Sequence, residues 1–181
     1  RCAVHAEDEA RLVERRDLVE PSAHPRMHPV WRDEETAIRA TRRLLALARK
    51  VGRRVHVLHV TTAEEMELLR DYRDVATVEV LPQHLTLAAP ECYERLGTLA
   101  LMNPPIREEP HRAALWRAVV DGTVDVLGSD HAPHTPEEKT REDIWKCDCG
   151  FPGVETQMPL MLTEVNRGRA SIMDYVRWSA E

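Results

Sequence analysis

Val124 to His134, VDVLGSDHAPH, is the stretch that decides how this chain is read. A short apolar run (Val124, Val126, Leu127) empties into Gly128 and Ser129. Asp130, His131 and His134 follow, with only Ala132 and Pro133 between them. Apolar β-branched residues bounded by turn residues mark a buried strand, and this one ends in groups that can bind a metal or carry a proton. In parallel α/β proteins the carboxyl ends of the strands share one surface, and ligand-binding and catalytic groups collect there. The remaining strands are therefore expected to deliver polar residues to that same surface.

Working outward, the same unit recurs. Cys2 to Val4 is a short strand candidate ending on His5, Glu7 and Asp8. The stretch from there to about Arg32, with Pro21, Pro25 and Pro29, reads as loop, too rich in proline for a regular element. Asp33 can cap a helix whose apolar positions Ala37, Ile38, Leu44, Leu45, Ala48 and Val51 recur at helical spacing before Gly52. Val55 to Val60 is the next strand, and Thr62 with Glu65 forms a capping box for a helix to about Tyr72. Val75 to Leu81 is a third strand, stopped by Pro82, with Gln83 and His84 after it. Pro90 suits the first turn of a short helix, and Pro110 opens a longer one that Gly122 ends. After the Val124 strand, Pro136 to Gly153 reads as a long loop, followed by helices at about Glu155 to Asn166 and from Ser171.

Strand-helix alternation predicts a parallel sheet, because each helix crosses over and covers it. Four such units are half of an eight-stranded barrel, whose usual size is about 250 residues. The 181 residues are therefore expected to be the second half of a (β/α)8 TIM barrel, strands 5 to 8, with an open doubly wound sheet as the lesser alternative. The chain opens on Arg1 and closes inside a helical pattern, so residues 1–181 are expected to form one C-terminal half-barrel truncated at both ends.

Composition narrows the class. With 43% hydrophobic and 31% charged residues the chain is an ordinary globular sequence. A net charge of -6 and scattered arginines give no footprint for nucleic acid. No apolar run approaches the roughly 18 residues of a membrane span, and the start has no signal-peptide pattern, so a cytoplasmic protein is expected. Cys2, Cys92, Cys147 and Cys149 include no C-x-x-C pair and read as reduced thiols.

Three of the four strands end on metal-ligand types: His5, His59 and Asp130. Imidazole and carboxylate suit zinc or a similar divalent ion. Such an ion lowers the pKa of a bound water toward about 7, and a carboxylate beside it, the position of Asp130, can carry the proton. Taken singly, each residue has a duller reading, since a lone strand-end His is more often a hydrogen-bonded loop residue. His56 and His59 are three apart, on opposite faces of a strand, so only His59 is expected to be the ligand. His24, His28 and His111 read as solvated, and Glu7 and Asp8 as helix-start charges. Cys147 and Cys149 make only a weak soft-metal motif.

At these residues the chain resembles a known family. His5-Ala6-Glu7-Asp8, the HVLHVTT run around His59, VEVLPQHL, Asn103-Pro104-Pro105-Ile106-Arg107, SDHAPHTPEEK from Ser129 and GFPGVET from Gly150 occur in the order found in dihydroorotases of the amidohydrolase superfamily. The resemblance covers essentially the whole chain. It implies a (β/α)8 barrel, Zn2+ as one or two ions, and the reversible closure of N-carbamoyl-L-aspartate to dihydroorotate in pyrimidine biosynthesis. It also implies His5 and His59 as metal ligands, Asp130 as the carboxylate that binds metal and shuttles the proton, and Asn103, His134, Cys149 and Gly150 as substrate-binding positions. At Cys149-Gly150 many relatives carry Phe-Gly or Ser-Gly. Because contact there is expected from the backbone, Gly150 should matter more than the thiol.

The family's H-x-H pair, its substrate-binding Arg and its bridging Lys or Asp have no counterpart in the 181 residues. They are expected upstream of Arg1, which would leave this stretch alone inactive. Allantoinases and dihydropyrimidinases or hydantoinases resemble the chain in the same way. Asn103 and His134 favour dihydroorotase, whose substrate carries a carboxylate. A non-catalytic barrel that partners aspartate transcarbamoylase is the rival from another class, and such proteins lose the ligands that stand here. A homodimer or a complex with aspartate transcarbamoylase is the assembly this family suggests.

Overall fold

A computed structural model describes residues 1–180. Its four strands are β1 (Cys2–Val4), β2 (Val55–Val57), β3 (Ala76–Val80) and β4 (Val126–Leu127). All pair in parallel in the order β1-β2-β3-β4, with Cys2 opposite Val55, Val55 opposite Ala76 and Glu79 opposite Val126. A doubly wound sheet reverses its strand order at a switch point. Here each strand adds on the same side as the last, which is how a barrel grows, and the chain is a partial (β/α)8 barrel.

The helices are α1 (Glu9–Val19), α2 (His28–Trp31), α3 (Glu34–Val51), α4 (Ala63–Arg70), α5 (Pro82–Thr86), α6 (Glu91–Leu96), α7 (Glu109–Val120), α8 (Pro136–Lys139), α9 (Gly153–Asn166) and α10 (Ile172–Ala180). Local chemistry sets their ends. Asp33 accepts from the Thr36 amide to start α3, and Gly52 ends it at φ +64°. The Thr62–Glu65 capping box starts α4 and a second box, Thr135–Glu138, starts α8. Among the described residues no helix is long and apolar enough to cross a membrane.

Strand alternation separates two faces. Val55, Val57, Val78, Val80 and Leu127 pack against Leu45 and Ala48 of α3, Met66 and Leu69 of α4, Leu115 and Val119 of α7, Met161 of α9 and Trp178 of α10. The other face carries His56, Thr77 and Glu79, and the His56 Nδ1 lies 2.8 Å from the Thr77 hydroxyl. A second apolar cluster joins segments that follow β3: Leu81, Cys92, Tyr93, Leu101, Met102, Ile106 and Cys147. It anchors the loops that carry Asn103 and Gly150.

The segment after β1 corrects the loop reading. α1 runs for 11 residues, capped by Asp8, and the prolines all lie beyond it. β2 is also shorter than expected. It stops at Val57 because His59 turns to φ +35°, which no strand can contain.

Candidate active site

The sheet brings two strand ends together. His5, directly after β1, places its Nδ1 3.1 Å from the His59 Nε2, with the rings edge-to-face at 4.8 Å between centroids. Two imidazole nitrogens that share one tetrahedral zinc at about 2.0–2.1 Å each would stand about 3.3 Å apart. The observed spacing therefore suits a shared ion. On its far side the His5 Nε2 donates to Glu7 Oε2 at 2.9 Å, and Arg32 bonds the same carboxylate. That bond fixes the His5 tautomer with Nδ1 free to accept or ligate, which is the role a carboxylate plays behind a metal-binding histidine.

His59 is 5% exposed and its Nδ1 is buried without a hydrogen-bond partner. Burial and the nearby His5 lower its pKa to about 4, against an opposing pull from Asp130. The ring is therefore neutral at physiological pH, the form that binds metal. Burial works to raise the Glu7 pKa, but the His5 hydrogen bond and the Arg32 charge outweigh it and hold the carboxyl below its ordinary value. An imidazole pair backed by an ionised carboxylate is a donor set that fits a divalent cation.

Asp130 closes the third strand end. It is exposed, and its φ of +43° puts it, like His59, in the left-handed region that non-glycine residues seldom adopt. Both residues leave their strands through this turn. Its charge reaches His59, but the ligand atoms of His5, His59 and Asp130 do not all lie within 4.8 Å of one another. Among the described residues that condition is met by His134, Glu138 and Asp148. There Glu138 closes the α8 capping box and Asp148 pairs with Arg141 at 2.8 Å, so both carboxylates are engaged without an ion.

Of the residues expected to hold substrate, Asn103, Cys149 and Gly150 sit on or beside the second apolar cluster. The His28 Nε2 donates to the Met102 carbonyl and to Asn103 Oδ1, both at 3.0 Å. The Asn103 oxygen is thus occupied, and its amide hydrogens are left to donate. Gly150 is tied down at both backbone groups. Its N–H donates to the Leu101 carbonyl at 2.9 Å and its carbonyl accepts from Lys139 Nζ at 2.9 Å, which also bonds Leu101 O at 2.8 Å. A Cβ at Gly150 would lie 2.4 Å from the Ala132 carbonyl oxygen, so only glycine lets this segment pass under the Asp130–His134 loop. Cys149 packs against the apolar cluster, where burial raises its thiol pKa, and the four thiols are free. His134 stands at the surface, 3.6 Å from Glu138.

Three sequence readings are corrected. Glu7 is not a helix-start charge, since Asp8 alone caps α1 and the Glu7 side chain is 2% exposed against His5 and Arg32. His28 is not solvated: it is buried, and desolvation lowers its pKa to about 4. His111 accepts from the Ala63 amide at the start of α4 at 3.1 Å. The spacing of Glu7, two residues from His5, was the available signal for the first. The partner of His28 is 75 residues away, and nothing local announces it.

Comparison with known proteins agrees with this geometry. No family model matches the chain. A dihydroorotase of Halobacterium salinarum is 37% identical over 93% of this chain and 38% of its own length, and one of Methanosarcina mazei is 36% identical over 91% and 38%. An allantoinase of Streptomyces avermitilis is 35% identical over 97% of the chain and 39% of its own length. Among solved structures, the L-hydantoinase (dihydropyrimidinase) of Arthrobacter aurescens superposes with a TM-score of 0.93 at 30% identity, covering 99% of this chain and 41% of that one. The chain thus spans under two fifths of the length of these curated relatives.

Proposed function

This chain belongs to the cyclic amide hydrolases of the amidohydrolase superfamily, as the C-terminal part of a dihydroorotase-like barrel, and from that premise we propose that it supplies half of a zinc-dependent dihydroorotase site. The observation that carries the reading is the His5–His59 pair at 3.1 Å, with Glu7 fixing the tautomer from behind. His5 and His59 would hold the ion, and Asp130 would join them. When bound, the ion supplies Lewis-acid polarisation of the amide carbonyl and a water of lowered pKa.

The chain's own residues do the rest. Asp130 accepts a proton from the attacking water and returns it to the departing amide nitrogen; in the ring-closing direction the transfers run backward. Asn103, its oxygen held by His28, offers its amide hydrogens to a substrate carboxylate. The Gly150 carbonyl would accept from a ring N–H of the substrate, and His134 would add a donor at the rim. The H-x-H pair, the Arg and the bridging Lys or Asp are not among the 181 residues, so the activity is assigned to the full-length protein.

The test is hydrolysis of dihydroorotate, allantoin and hydantoin by the zinc-loaded full-length protein. A site built to hydrogen-bond a carboxylate should prefer dihydroorotate by at least about a hundredfold in kcat/KM. The likeness to the Arthrobacter aurescens L-hydantoinase favours a second reading, a hydrolase of hydantoins, and a preference for hydantoin would establish it. No turnover of any of the three by a zinc-loaded protein would leave a non-catalytic barrel.

A further inference from the structure

We infer that Glu79, inside the sheet on β3, is a positioning residue that holds His59 in its ligating conformation, and that Gly128 is glycine to leave room for it. The inference rests on the reading of His59 as a metal ligand. His59 sits at φ +35°, in the left-handed region where a side chain bearing a Cβ is disfavoured, so the surrounding structure must hold it there. Glu79 does so twice. Its backbone carbonyl accepts from the Val60 amide at 2.9 Å, and its Oε1 accepts from the His59 amide at 3.2 Å. Two consecutive amides of the turn are thus captured by one residue. The second carboxylate oxygen, Oε2, lies 3.5 Å from the His56 Nε2, and the Glu79 side chain is 14% exposed.

Gly128 completes the arrangement from the other side. A Cβ built there would fall 2.4 Å from the Glu79 Cδ and within 2.7 Å of both carboxylate oxygens. The backbone at Gly128 is itself fixed, because its N–H donates to the Val80 carbonyl at 3.0 Å. Any side chain at 128 therefore displaces the carboxylate rather than the strand. Two residues further on is Asp130. One carboxylate thus lies between the strand ends that carry His59 and Asp130, and a glycine in the sequence GSDH is explained by a glutamate 49 positions earlier in the chain.

The test uses the full-length protein with four variants: Glu79→Met, which keeps length but removes the acceptor; Glu79→Gln, which keeps an acceptor oxygen; Gly128→Ala; and Glu79→Met with Gly128→Ala. Zinc affinity is measured by chelator competition, and exchange of the His59 amide by NMR on metal-free protein. Glu79→Met and Gly128→Ala are each expected to weaken zinc at least about tenfold, the usual loss when an outer partner of a ligand is removed. Glu79→Gln should stay within threefold of wild type, and Gly128→Ala should add less than threefold to Glu79→Met. The His59 amide should exchange at least about tenfold faster in Glu79→Met and Gly128→Ala than in wild type or Glu79→Gln.

A Gln variant no better than Met, additive losses in the double variant, or unchanged His59 exchange would overturn the inference. If Gly128→Ala does not fold, the Met and Gln pair decides alone. A wild type that fails to bind zinc sinks the metal reading instead, and the exchange arm still judges whether Glu79 holds the turn.

Discussion

Replacing Glu7 by Gln removes the charge that fixes His5 while leaving the shape of a buried side chain almost unchanged. Glu7 is 2% exposed, accepts from His5 Nε2 at 2.9 Å and is bonded by Arg32. A glutamine there can turn its NH2 toward His5, which reverses the tautomer preference, and it leaves the Arg32 guanidinium, 14% exposed, without a charged partner. Loss of such an outer carboxylate weakens metal binding by about 10–100-fold, or roughly 1.4–2.8 kcal/mol at 1.4 kcal/mol per decade. Zinc affinity of the full-length protein, measured by competition with a chromophoric chelator at neutral pH, checks this. Thermal melting of the metal-free protein separates the effect from any general loss of stability. A variant that binds zinc within about twofold of wild type would refute the assignment of Glu7 as the group that orients His5.

Three further outcomes follow from the same structure. Burial holds His28 at a pKa of about 4 and His84 at about 3, against 6.5 in an open chain, so the unfolded state binds more protons below pH 6.5. Each residue's share of stability is complete above that pH and is lost on acidification at about 1.4 kcal/mol per pH unit until the folded pKa is reached. Urea unfolding at pH 7 and pH 5 should show it, and equal stability at the two would contradict it. Asp33→Ala removes the cap of α3 and the 2.8 Å bond from Arg11, and should cost about 1–2 kcal/mol from the cap alone, whereas Asp33→Asn keeps the cap and should cost less. Gly150→Ala drives a methyl into the Ala132 carbonyl and should raise KM for dihydroorotate with little change in zinc content, while Cys149→Ser at the neighbouring position should leave KM nearly unchanged.

The barrel was legible because its signals are local. The β-branched runs at Val55 and Ala76, the Thr62–Glu65 box and Gly52 each announce an element within a few residues, and their alternation implies parallel strands. α1 was hidden because only Leu12 and Val19 of its 11 residues are buried, too thin a stripe to show a helical period, although Asp8 was a usable cap signal. Strand-end His5, His59 and Asp130 could be picked out as candidates by type and position alone. The supporting contacts could not: Glu7 meets Arg32 25 residues on, His28 meets Asn103 75 residues on, and Glu79 meets the His59 amide across two strands. Such contacts are set by the register of the sheet, which no single stretch of sequence states.

Zinc content tests the His5–His59 pair as a metal centre most directly. Elemental analysis of the full-length protein, purified without chelators, should find zinc in the wild type and a loss of at least one ion per chain in His59→Ala, with the His5→Ala variant behaving alike because the two rings face one another at 3.1 Å. Folded variants that keep the full wild-type zinc content, confirmed by melting, would show that this histidine pair is a hydrogen-bonded feature of the barrel and not its metal centre.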